Sequence, residues 1–338
     1  MSNPISTGIL AYGMSGRVFQ GPFISLNPGF DLKAVVERHE KKAHLDLPGI
    51  ISYDAVDDLI NDSSIELVVV NTPPVTHVEY VKKALLAGKH VLVEKPIAIT
   101  TAEVLALYDL ARETGKHLFV FQNRRWDSDF VSLKKVIESG RLGSLIEVHL
   151  RFDRYKAALS TKLFKETKGL PGNGLVYDLS PHLIDQAISL FGKPLSFTKT
   201  TGIFRQNSEV VDYFHMHLKY PGQLNVFLTS GLLIAQPTPS FVAHGTLGSF
   251  QKNRVDVQEA QLENGIWPND PAYGFEPEGE EGILTTINAD GEKQVEIIPS
   301  ERGNYMHLFD AVHHTLRNNA LYPITEEHIA WQMEILVG

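Results

Sequence analysis

Over the first ~120 residues short apolar runs alternate with helix-period segments, the pattern of βαβ units on a parallel sheet. Ile5 to Tyr12 is the first strand candidate, followed by a glycine turn and a helix from about Gly16. Phe30 to Glu37 and Ile65 to Asn71 read as further strands. His77 to Ala87 reads as a helix that Gly88 stops. Lys89 to Glu94 is another strand. Thr100-Thr-Ala-Glu103 has the spacing of a capping box and opens a helix that Gly115 closes. His117 to Gln122 is the last strand expected in this unit.

The second half has a different period. Ile146, Val148, Leu150 and Phe152 alternate with Glu147, His149, Arg151 and Asp153, which predicts a strand with one buried face. Similar short strands recur between 195 and 298, broken by Pro221-Gly222, Gly245 and Gly248, and predict a largely antiparallel sheet. Helices are expected at Pro181 to Phe191 and near Tyr305 to Arg317. Glu263 to Glu281 is polar, contains Gly and Pro, and predicts a long surface loop. A boundary near Arg124 follows. The expected fold is α/β, with a Rossmann-type domain at 1–123 and an α+β domain at 124–338 carrying a large, mostly antiparallel open sheet.

Composition narrows the function classes. A length of 338 residues suits two domains, and a 43% hydrophobic, 21% charged chain is an ordinary globular one. The net charge is −9 with no strongly basic stretch, which argues against nucleic-acid binding and against attraction to a membrane surface. The absence of cysteine excludes disulfides, thiolate nucleophiles and cysteine–zinc sites, and fits a reducing cytoplasm. MSNPISTGIL lacks the pattern of a signal peptide, and the apolar runs are strand-sized, far below a membrane span. A cytoplasmic protein is expected.

The first strand runs into Ala11-Tyr-Gly13-Met-Ser-Gly16, an A-x-G-x-x-G turn. Its middle glycine lets backbone approach a pyrophosphate, and its last lets the helix pack on the sheet. Helix amides would then meet the phosphates. A glycine turn alone is weak evidence, but this one follows a strand, precedes a helix and meets Glu37 about 20 residues later at the end of a second strand. Glu37 could accept a ribose 2′-OH, which argues for NAD; Arg38 could hold a 2′-phosphate, which argues for NADP. The choice stays open between them.

Asn71-Thr-Pro-Pro74 and Glu94-Lys95-Pro96 end two more strands, at the sheet edge where ligands gather. The expected cofactor set is Ala11, Tyr12, Gly13, Ser15, Gly16, Glu37, Arg38, Asn71, Thr72, Pro73, His77, Glu94, Lys95, Asn123 and Arg124. In GLVYDLSPHLID, Asp178 and His182 are spaced i, i+4. Pro181 fits only the first turn of a helix, so Asp178 is expected at or just before the helix start. A core histidine explains His182 as well as a catalytic one does from spacing alone. A metal site at Asp178, His182 and Asp185 lacks a further ligand cluster, and no metal is expected.

These residues resemble the Gfo/Idh/MocA oxidoreductase family across essentially the whole chain. The phosphate turn AYGMSGRVF, then VEKP, FQNRRWDSDF and GNGLVYDLSPHLIDQ carry the resemblance, in that order. NRRWD, YDLSPHLIDQ and VDYFH resemble most the NADP-type scyllo-inositol dehydrogenase branch. The family signature implies that Lys95, Asp178 and His182 form the catalytic set. It also implies a second domain whose open sheet serves subunit association, hence a homodimer or homotetramer. Three features depart from the pattern: Ala11 replaces the first glycine, Glu37 stands where NADP-using relatives carry a small polar residue, and the chain stops at Gly338 before an expected longer final helix and strand.

The resemblance implies hydride transfer between NAD(P) and a secondary alcohol of a cyclic polyol or sugar, inositol-like. His182, a residue type with an ordinary pKa of about 6.5, suits the general base. Lys95 would stabilise negative charge on the reacting oxygen, and Asp178 would hold Lys95 or a substrate hydroxyl. Substrate contacts are expected from Lys95, Arg125, Tyr155, Tyr177, Asp178 and His182, with Asn123 and Arg124 further candidates. Trp126 is read as core, and His215 as facing the site or a subunit interface. The competing reading is a non-catalytic NAD(P)-binding sensor of sugar metabolites on the same fold. A third, reduction of an imine or tetrapyrrole, needs no Asp178/His182 pair.

Overall fold

The computed structural model describes residues 3–160, 166–169 and 172–338. They form two compact units. In the first, β1 (Ile5–Ile9), β2 (Phe30–Val36), β3 (Ile51–Tyr53), β4 (Leu67–Val70), β5 (His90–Glu94) and β6 (Leu118–Phe121) make one sheet. Its order is β3-β2-β1-β4-β5-β6, and every pairing is parallel. This is the doubly wound Rossmann order, with the direction of strand addition reversing beside β1. All four residues of β4 are buried, as expected of a strand covered on both faces.

The helices of this unit begin and end where local chemistry dictates. Thr100 Oγ1 accepts from Glu103 N at 3.2 Å and Glu103 Oε2 accepts from Thr100 N at 3.0 Å, closing the capping box on Thr101–Thr114. Gly115 ends that helix at φ 64°, a left-handed conformation that a Cβ would oppose.

Segments 258–273 and 304–330, which a single cut after Asn123 would assign to the second unit, pack with the first. Helix Met306–Asn318 lays Phe309 on Phe23, ring centroids 5.3 Å apart and 6° from parallel. Asn27 Nδ2 donates to Asp310 Oδ1 at 2.8 Å, and Tyr322 Oη donates to the Val120 carbonyl at 3.0 Å. The surface loop expected over Glu263 to Glu281 holds no helix or strand beyond Glu263 and is mostly exposed, but it is pinned at one point. Tyr273 within it is fully buried, edge-on to Phe23, with its hydroxyl donating to Gln258 Oε1 at 2.8 Å. One aromatic anchor outweighs the polar composition around it.

The second unit holds β7 (Leu145–Arg151), β8 (Ser196–Gly202), β9 (Tyr213–Lys219), β10 (Asn225–Gly231), β11 (Phe241–Gly245), β12 (Gly248–Lys252), β13 (Gly282–Ile287) and β14 (Lys293–Ile298). Their order is β14-β13-β12-β11-β7-β10-β9-β8, and only β7 with β10 is parallel. Helix Leu175–Phe191 packs on β10, β9 and β7. Phe214, Met216, Leu218, Val226 and Leu228 are buried on these strands, each flanked by less buried neighbours. The alternate positions His149, His215, His217 and Phe227 are half-buried on the opposite, open face.

Candidate active site

The first unit builds a cradle at the carboxyl ends of its strands. After β1 the chain turns through Ala11 to Met14, and Arg17 N donates to Gly13 O at 2.8 Å to start the helical run Ser15–Gln20, Gly21–Leu26. A Cβ on Gly16 would sit 2.1 Å from the Ala11 carbonyl oxygen, so only glycine lets helix and strand approach this closely. A Cβ on Gly13 would meet nothing within 4 Å. The middle glycine of a pyrophosphate turn leaves such a face open for the ligand to approach.

The side chains around the turn hold backbone in place. Asn71 Oδ1 accepts from Ala11 N at 3.0 Å while its Nδ2 donates to Ala11 O at 2.7 Å, tying the end of β4 to the turn. Glu94 Oε1 accepts from Ser15 Oγ at 2.7 Å and from Gln20 Nε2 at 3.2 Å. Tyr12 Oη donates to Asp46 Oδ2 at 3.3 Å, and Arg17 Nε lies 2.9 Å from the same oxygen. Burial and the Asp46 carboxylate push the Tyr12 phenol well above its ordinary pKa, keeping it a neutral donor.

His77 also acts on backbone. Its Nδ1 lies 2.8 Å from Pro96 O and its Nε2 2.7 Å from Thr72 O, which joins the loops after β4 and β5. Burial lowers its pKa, and a neutral ring donates to only one of the two carbonyls at a time. Thr72 Oγ1 is 2.7 Å from Thr76 Oγ1. Lys95 is half-buried at the exit of β5, followed by a cis peptide to Pro96. Asn123 is buried just beyond β6. A cavity of about 380 Å³ lined by Ala11 to Gly13, Glu37 to Glu40, Lys42 and Thr72–Pro73 lies beside the turn. A bare glycine backbone beside a cavity of this size fits a dinucleotide.

In the second unit, helix Leu175–Phe191 starts from Gly174 at φ 87°, and Leu175 N donates to Val211 O at 2.7 Å. Pro181 lies well inside this helix, not in its first turn, which corrects the start read from sequence. Burial of Leu179, Leu183, Ile184 and Ala187 outweighs the one hydrogen bond a proline removes. Asp178, exposed, and His182, buried, therefore share one helix face at i, i+4. Gln332 Nε2 donates to Pro181 O at 2.7 Å.

The two arginines are held by carboxylates. Arg125 Nε and Nη2 donate to the two Asp185 oxygens at 2.8 and 2.7 Å, a bidentate pair that braces the helix below His182. Arg124 Nη1 lies 2.6 Å from Asp256 Oδ1 and 3.2 Å from Asp127 Oδ2, over the Phe152 ring. Tyr155 is exposed and pairs by backbone with Leu233, and Tyr177 is half-buried. His215 Nδ1 lies 2.9 Å from Thr229 Oγ1 on the open sheet face. Among the described residues, no group of three or more acidic or histidine side chains is placed to hold a metal.

Residues 5–122 match the model of the oxidoreductase family with an NAD-binding Rossmann fold, and residues 130–251 match the GFO/IDH/MocA C-terminal domain. The chain belongs to the GFO/IDH/MocA family. It is accordingly an NAD(P)-dependent oxidoreductase. This GFO/IDH/MocA oxidoreductase is 41% identical to an uncharacterized oxidoreductase of Schizosaccharomyces pombe, over 96% of this chain and 94% of that one. It is 36% identical to the scyllo-inositol 2-dehydrogenase (NADP(+)) of Bacillus subtilis, over 96% and 89% of the two chains. Among solved structures, YvaA of Bacillus subtilis superposes with a TM-score of 0.94 at 35% identity, covering 99% of this chain and 95% of that one.

Sequence reasoning missed several members of the oxidoreductase's cradle. Gln20 and Asp46 carry no motif signal. Each becomes legible only when the fold brings it to Glu94 or to Tyr12.

Proposed function

We propose that this oxidoreductase transfers hydride between NAD(P) and a secondary alcohol of a cyclic polyol or sugar. The observation that carries the reading is the shared helix face of Asp178 and His182, set on a helix that the Arg125–Asp185 pair braces. The inositol dehydrogenases among its relatives support the substrate class. The cofactor supplies the hydride acceptor at its nicotinamide. His182 takes the hydroxyl proton, Lys95 stabilises negative charge on that oxygen, and Asp178 holds a neighbouring hydroxyl. Tyr155, Tyr177 and Asn123 remain candidates for the other hydroxyls. The open face of the second sheet, with Phe227 among three imidazoles, is the surface on which copies would associate as a dimer or tetramer.

The test is a panel of inositols and aldoses with both nicotinamide cofactors, run on the native chain and on Lys95→Ala and His182→Ala. Each variant should lose about 10²–10⁴ in kcat with dinucleotide affinity kept. Near-native turnover in both variants would remove the assignment. Tight dinucleotide and polyol binding with no turnover in the native chain would favour a sensor instead.

A further inference from the structure

We infer that the substrate of this oxidoreductase carries an oxyanion group, a carboxylate or a phosphate, and that Arg154 is its ligand. This narrows the substrate class proposed above and rests on that reading. Backbone pairing continues past the end of β7, where Phe152 N donates to Thr229 O at 3.0 Å and Arg154 N to Gly231 O at 2.9 Å. Side-chain alternation therefore puts Arg154 on the side of Val148, Leu150 and Phe152, which helix Leu175–Phe191 covers. Its guanidinium lies 4.9 Å from the centre of the Phe152 ring, on that same side. This is also the sheet end where the helix starts. Leu175 N donates to Val211 O, and the next residue, Asp212, accepts from Leu232 N beside Gly231. Asp178 stands in the first turn of that helix.

Three guanidiniums share the Phe152 ring, and they are not equivalent. Arg124 and Arg254 lie 4.9 and 4.2 Å from its centre with buried side chains. Arg124 pairs with Asp256 and Asp127, and Arg254 lies 3.5 Å from Asp127. Arg154 is exposed and makes no ion pair among the described residues, yet its main chain is fixed on both sides, since Ile234 N donates to its carbonyl at 3.1 Å. Burial pushes Asp127 and Asp129 toward their neutral forms, whereas Asp256, also buried, is held ionised by Arg124 and Arg254. Three permanent cations thus surround one firmly ionised carboxylate, and Arg154 presents the surplus charge to solvent. Gln186 Nε2 donates to Arg124 O at 3.0 Å, which ties the cluster to the helix face of His182 one turn away. A guanidinium meets two oxygens of a carboxylate or phosphate at once, which a neutral hydroxyl cannot match.

The test measures kcat/KM for two series whose members differ in one anionic group. One is glucose, glucuronate and glucose 6-phosphate; the other is inositol and inositol 1-phosphate. In at least one series the native chain should prefer a charged member over its neutral parent by about tenfold or more, with the gain in KM. Whether glucuronate or a phosphate ester gains decides between carboxylate and phosphate. Arg154→Gln should bring that preference close to one, and Arg154→Lys should keep part of it. Added salt should weaken the charged member alone. The melting temperature of Arg154→Gln should stay near the native one, because the residue is exposed. Equal use of charged and neutral members by the native chain, or a preference that survives Arg154→Gln, would overturn the inference and leave polyol oxidation in place. If no member of either series were oxidised, the polyol reading itself would fall, and the inference with it.

Discussion

The two sheets of this molecule solve different problems. The first is parallel and covered on both faces, so its strands are short apolar runs and its chemistry is confined to the carboxyl ends. The second is mixed, with helix Leu175–Phe191 on one face and His149, His215, His217 and Phe227 on the other. In the first unit the side chains at the strand ends mostly position backbone. Asn71 and His77 each clamp a loop, Glu94 holds the helical run after β1 through Ser15 and Gln20, and Gly13 leaves its face of the turn bare. In the second the side chains themselves are presented, on a helix face braced by a buried ion pair. A site made of backbone tolerates few insertions of volume; a site made of side chains tolerates few deletions of charge.

The sharpest way to break this contrast is to delete a buried charge in the second unit. Lys252 is buried on β12, 2.6 Å from Glu276 Oε2 and 2.9 Å from Ser300 Oγ. Lys252→Ala leaves Glu276 buried beside Ser128 and Ser300 without its cation. A loss of about 3–5 kcal/mol is expected in urea unfolding. A loss below ~1 kcal/mol would mean that water reaches the pair and that charge deletion is tolerated there.

Next in size is added volume in the cradle. Gly16→Ala pushes a Cβ against the Ala11 carbonyl at 2.1 Å, a backbone contact that cannot rotate away. It should cost about 1–3 kcal/mol and abolish dinucleotide binding. Gly13→Ala, whose Cβ meets nothing, should leave the melting temperature unchanged and still weaken the dinucleotide. Differential scanning calorimetry with and without cofactor separates the two. Equal destabilisation by both would show that Gly13 also serves packing.

Periodicity reached most of the fold because burial on two faces or one leaves different patterns. The runs before Tyr12 and Asn71, and the alternation from Ile146 to Phe152, named their sheets correctly. The return of 304–330 to the first unit was not legible, since it depends on Phe309 meeting Phe23 across nearly the whole chain. At the site, motif position located residues, and the fold added the hydrogen-bond partners that spacing does not name. Asn71 and His77 were found where ligands gather, yet their polar atoms point at neighbouring backbone. Glu37 sat at the expected strand end, but the amides of Lys42 and Ala43 that take its carboxylate could not be foreseen from its spacing. Pro181 misled for a related reason: helix-start preference is a local rule, and buried apolar contact along the helix overrode it.

The smallest effect on stability falls on the open face. The Phe227 ring lies 4.6 Å from His217, 4.9 Å from His149 and 5.7 Å from His215, centroid to centroid, and is half-buried in the single chain. Phe227→Lys removes those stacks and places a cation among three imidazoles. In an isolated chain this should cost about 1 kcal/mol or less, because the lysine ammonium can reach solvent. If copies associate through this face, the same substitution buries that charge against its symmetry mate, since a two-fold interface brings each patch onto itself. Light scattering behind size exclusion should then show the native oligomer reduced to monomer with the melting temperature of the single chain little changed. An unaltered oligomer would move the association surface elsewhere and leave the His149, His215 and His217 cluster as a solvent-facing feature of the sheet. The outcome decides whether the second unit presents side chains on one of its faces or on both.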